Sequence, residues 1–148
     1  MAKATQFYDV VDIIKQTLLE DDFVNSVSYG DITKVDTSKT TIYPLSHMVV
    51  NSVVVGDNMF TFNVSIASMD LIDQVNDNEG DNEMNIFNTQ SSVLSRLILK
   101  MRRYNMRNNG FQIVGQPSLE YFTHRFEDDV AGVDTTFEVN VIQDMNVC

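Results

Sequence analysis

Residue types that carry chemistry are scarce in this chain. There is one cysteine, Cys148, so no disulfide can form within the chain and no zinc-ligand spacing exists. That usage fits a reducing compartment. Tryptophan is absent, and six glycines supply no phosphate-cradling loop, dinucleotide fingerprint or nucleophile elbow. The two histidines, His47 and His124, each fall in a stretch that reads as strand, with no carboxylate or cysteine pattern beside it. Both read as strand histidines with ordinary hydrogen bonds. Ser46 adjoins His47, but neighbours on a strand point to opposite faces. No catalytic constellation, cofactor or metal site follows, and the reading is non-enzymatic.

Positive charge is equally sparse. Ten Lys and Arg stand against 21 Asp and Glu, a net charge of -11. Such a balance opposes general affinity for nucleic acid or anionic membrane and suits a wall past which DNA slides. No apolar run approaches the length of a membrane span. The opening MAKATQFYDV lacks the zones of a signal peptide. A soluble protein made inside the cell is expected. With 148 residues, 43% of them hydrophobic, the chain has material for one domain with a real core.

What is present is organised around Asn88 to Arg107. Val93, Leu94, Leu97, Ile98, Met101 and Tyr104 recur at helical spacing, with Asn88 or Thr89 as cap and Asn108-Asn109-Gly110 as stop. Arg96, Lys100, Arg103 and Arg107 align as a stripe beside that apolar face. With Arg102 they make half of all the positive charge. Just before lies the opposite: Asp70, Asp73, Asp77, Glu79, Asp81 and Glu83, with no Lys or Arg among them. Residues 76 to 85 read as an exposed, mobile loop. Its dense oxygens invite a calcium reading, but the EF-hand spacing fails.

A first helix is predicted over residues 5 to 20, with Phe7, Val10, Val11, Ile14 and Leu18 as its stripe and Glu20-Asp21-Asp22 as its end. Phe23 to Tyr29 alternates as a strand. Residues 31 to 40 form a polar connection, with room for a short strand at Ile32 to Val35. Pro44 marks a strand start, edge or bulge before a strong strand from His47 to Val55. Gly56-Asp57-Asn58 turns it into Met59 to Ala67, where Phe60, Phe62, Val64 and Ile66 share a face. Val53-Val54-Val55 puts apolar groups on both faces. Either this is a central strand of one domain, or a helix and another subunit cover its two sides. After Gly110 come strands at Phe111 to Gly115, Leu119 to Phe126 and Val133 to Ile142, with turns at Gln116-Pro117-Ser118 and from Glu127 through the Gly132 region. The order predicts a single α+β domain: a mostly antiparallel β-sheet packed against two α-helices.

The basic stripe admits three readings. It is a solvated face balanced by nearby carboxylates, a nucleic-acid contact, or the partner of an acidic surface on a neighbouring copy. Four aligned charges are a small patch for DNA binding against this background. In the third reading Arg96, Lys100, Arg103 and Arg107 meet acids such as Asp70 and Asp73 of the next copy.

Two segments carry a resemblance: Thr41-Ile42-Tyr43-Pro44-Leu45-Ser46-His47, running into Val49-Val50-Asn51-Ser52, and Met69-Asp70-Leu71-Ile72-Asp73. With the order of elements around them, they resemble tail-terminator and neck-ring proteins of tailed bacteriophages. The resemblance implies a homo-oligomeric ring, hexameric in tail terminators and of higher symmetry such as a dodecamer in some collars. Such a ring sits at the head-tail junction of the virion, between connector or neck proteins and the tail tube. DNA passes through it without specific binding, and no catalysis is involved. Asp77, Glu79, Asp81 and Glu83 would then be a loop that docks to an adjacent ring. The competing class is a small acidic binding or regulatory protein, such as a DNA-mimicking inhibitor, which needs its acids along rigid elements.

Overall fold

The structure is a computed structural model that describes residues 6–30, 43–57, 59–72, 83–104, 111–125 and 130–142. Among these residues it is an α+β fold of two helices and a six-stranded, mostly antiparallel sheet. In chain order the elements are α1 (Gln6–Leu19), β1 (Ser26–Tyr29), β2 (Leu45–Val55), β3 (Met59–Leu71), α2 (Glu83–Tyr104), β4 (Phe111–Val114), β5 (Glu120–Arg125) and β6 (Val130–Ile142). The sheet order is β1-β2-β3-β6-β4, and β5 pairs with the start of β6. Among the described strands only β1 and β2 run parallel.

The long β2–β3 hairpin forms because a period of two continues on both sides of a short turn, closed by Gly56 N–H donating to Met59 O at 2.8 Å. In β3, Phe62, Val64 and Ile66 point to one face and are buried there. Across β6 their partners are Val139, Phe137 and Thr135, so both strands present one continuous surface. Both helices lie on it. Val10, Ile14 and Leu18 of α1, and Val93, Leu94, Leu97 and Met101 of α2, are at most 1% exposed. Each such side chain contributes about 1.5–3 kcal/mol of burial. A smaller cluster of Leu45, Ala67, Met69, Phe122 and Val130 lies on the opposite face.

Several boundaries depart from the sequence reading. α2 begins at Glu83, not Asn88, because Ile86 and Gln90 extend its buried stripe backwards. Glu83 is therefore the first residue of a helix and not part of a loop. β1 begins at Ser26. Before it, Asp21 folds the chain by accepting Phe23 N–H on Oδ1 and Val24 N–H on its carbonyl. Pro44 proves to be a strand start: its carbonyl accepts from Asn25 and Ser26, which aligns β1 beside β2. β3 runs on to Leu71, so Asp70 is a strand residue. β6 starts at Val130, which places Gly132 inside a strand and not in a turn. A Cβ there would collide with Ser68 O of β3 and lie 2.8 Å from Phe122 Cζ. Glycine is used for close packing at this point. The expected short strand at 32–35 and the helix stop at 108–110 fall outside the described residues.

Candidate assembly surfaces

The basic stripe meets α1. Arg96 donates to both carboxylate oxygens of Asp21, from Nε at 2.6 Å and Nη2 at 2.9 Å. Lys100 Nζ reaches Glu20 Oε2 at 3.3 Å. One end of α1 is thereby tied to the middle of α2. The Asp21 side chain is only 6% exposed, whereas Arg96 is 44% exposed. Burial pushes the Asp21 carboxyl up, but the Arg96 hydrogen bonds, the Phe23 amide and the nearby Arg96 and Lys100 charges outweigh it and hold the pKa below the ordinary value. The Arg96 guanidinium also lies over the Phe23 ring, 5.9 Å from its centroid.

Two of the four stripe cations are thus engaged within the chain. Arg103 is exposed in the last turn of α2, and Arg102 donates to Gly115 O at 3.2 Å. Arg107, Asp73, Asp77, Glu79 and Asp81 lie outside the described residues. Asp70 is half-buried opposite Ala131, beneath the N-terminal end of α2 where Ile72, Ile86 and Ala131 cluster. Arg103 stands at the other end of that helix, so these two members of the predicted set are not brought together. Burial raises the Asp70 pKa, partly offset by the Leu71 N–H it accepts at 2.8 Å. Glu20 and Asp21 read in the sequence only as a helix stop. Their partners are 80 and 75 residues away, and no local signal names them.

His47 is 2% exposed. Its Nε2 donates to Gly30 O at 2.8 Å, which leaves Nδ1 to accept from Ser28 Oγ at 2.6 Å. Gly30 has φ 122°, a backbone conformation that favours glycine and turns the carbonyl back to the ring. His47 here clamps β1 and its exit turn to β2. The side chain of His124 lies outside the described set.

Beyond the cluster of Leu45, Met69 and Phe122, the helix-free face carries polar side chains. Asn51 Nδ2 donates to Asn63 Oδ1 and Ser65 Oγ, both at 2.8 Å. Ser65 and Thr136 share a hydrogen bond at 2.9 Å, and Thr61 donates to Asn140 at 2.7 Å. A shallow cavity of about 340 Å³ opens on this face, walled by His47, Ser65, Thr136 and the cross-strand pair Glu120 and Asp134. Among the described residues no group of three His, Cys, Asp or Glu is placed to hold a metal ion. No helix among them is long and apolar enough to cross a membrane.

The far half of β2 is the least covered apolar element. β1 pairs only with residues 45–48, and among the described residues no strand lies along 49–55 on that side. Val53, Val54 and Val55 are 46%, 66% and 70% exposed. Among the described residues Val53, Val54 and Val55 are thus neither in a central strand, since β1 reaches only residue 48, nor covered by a helix on one side. α1 stops short, at a cluster in which Phe7 meets Tyr8, Tyr29 and Phe62 edge-on at 6.1–6.4 Å between ring centres. Phe7, Tyr8 and Tyr29 remain exposed beside the valines.

Compared with known proteins, the chain matches no family model and no curated protein.

Proposed function

We propose that this chain is a structural virion protein that assembles as a ring at the head-tail junction of a tailed bacteriophage, around the DNA channel. The observation that carries the reading is the half of β2 that has no strand beside it among the described residues. A seven-residue strand edge bearing three exposed valines is an aggregation hazard unless another surface covers it, and assembly proteins use such edges. The two segments behind the resemblance are also neighbours in space: Leu45 pairs with Met69 across the hairpin. A sheet face of hydroxyls, amides and the carboxylates Glu120, Asp134 and Glu138, with a net charge of -11, suits a channel through which DNA moves without sticking.

Light scattering of the purified protein across concentration, at low and high salt, tests the proposal, with electron microscopy of the same samples. The expected result is a closed ring of six or twelve copies. A monomer at every concentration would favour the small acidic binding protein instead.

A further inference from the structure

Resting on the ring reading, we infer that the covering surface is β4 of the next copy: the 49–55 edge of β2 in one copy pairs with the outer edge of β4 in its neighbour and continues the sheet between subunits. The two edges stand at opposite ends of one sheet, and among the described residues each lacks a strand on its outer side. Strand directions match. β2 is antiparallel to β3, β3 to β6, and β6 to β4, so β4 runs with β3 and against β2. When copies are related by rotation about an axis along the strands, directions are preserved. β2 then meets the neighbour's β4 antiparallel, the more stable ladder.

Charge selects this partner over the same edge of a second copy. Among the described residues the β2 end exposes Asp57 in the hairpin turn and Asp9 and Asp12 on α1, against one cation, Lys15. Pairing two such ends face to face would bring like charges together. The β4 end exposes two cations, Arg102 and Arg103 at the close of α2, and one carboxylate, Glu138 beside Val114. It also exposes apolar Leu99 and Val114, at 53% and 42%. A head-to-tail contact therefore sets acid against base and valines against leucine and valine.

The test is disulfide trapping in a Cys148→Ser background, with Ser52→Cys or Val54→Cys on β2 and Gln112→Cys or Val114→Cys on β4. The register places all four on the helix-free face. Mild oxidation of mixed single variants should give heterodimers joining a β2 position to a β4 position. A Ser52→Cys/Gln112→Cys double variant, or its neighbouring register, should give a ladder that closes at the ring size. Dimers joining only β2 to β2 would overturn the inference. So would a ring seen by light scattering in which no β2–β4 pair can be trapped, and the ring reading would then stand alone. A monomer throughout would overturn both.

Discussion

Arg96 grips Asp21 with two parallel hydrogen bonds at 2.6 and 2.9 Å, fastening the turn after α1 to the outer face of α2. The pair is bidentate but half in solvent, so its value is that of a well-formed surface ion pair, about 0.5–1 kcal/mol. A double-mutant cycle with Arg96→Ala and Asp21→Ala, read by chemical denaturation, should return a coupling of that size. Because the Asp21 pKa is lowered in the folded state, this stability is present above the ordinary carboxylate pKa and is lost as pH falls through the folded value. Arg96→Ala should therefore cost most near neutral pH and least in acid. A pH-independent difference would show that packing on Phe23, and not charge, is what Arg96 supplies.

Asp70 behaves in the opposite sense. Its folded pKa is raised by burial, so the folded state holds the proton more tightly than the unfolded chain. Stability from this group is full below the unfolded pKa and declines as pH rises through the folded one. Asp70→Asn keeps the acceptor for Leu71 N–H and removes the buried charge. The variant should melt higher than the parent at pH 7, and the gap should close towards pH 4. An unchanged or lower melting temperature at pH 7 would mean that Asp70 has a cationic neighbour when folded.

Gly132 admits no side chain. Its Cβ would strike the β3 backbone at Ser68 and crowd Phe122, its cross-strand partner in β5. Backbone cannot swing aside as a side-chain tip can, so Gly132→Ala should cost about 3 kcal/mol or more. Phe122→Leu relieves only the ring contact, so it should rescue little of that loss. Thermal melts of the single and double variants decide it.

Most elements were readable from spacing. The stripes Val10, Ile14, Leu18 and Val93, Leu94, Leu97, Met101 announced the buried faces of both helices. Phe62, Val64 and Ile66 announced the inner face of β3. These patterns read well because helix and strand periods are properties of the backbone and do not depend on distant partners. Signals with two meanings misled. Gly132 looked like a turn because glycine serves turns and close packing alike. Asn88 and Thr89 looked like caps because polar residues also occupy the exposed side of a helix that has already begun.

Charge scarcity, the lone cysteine and the alternation of elements bounded the class of this protein as an acidic α+β domain before any fold was seen. Which carboxylates meet Arg96 and Lys100, and which half of β2 has no strand beside it among the described residues, depended on how α1 lies against α2 and on how short β1 is. Those are contacts between residues tens of positions apart. Local propensity carries no information about them, since the free energy that selects such contacts arises only when the layers pack.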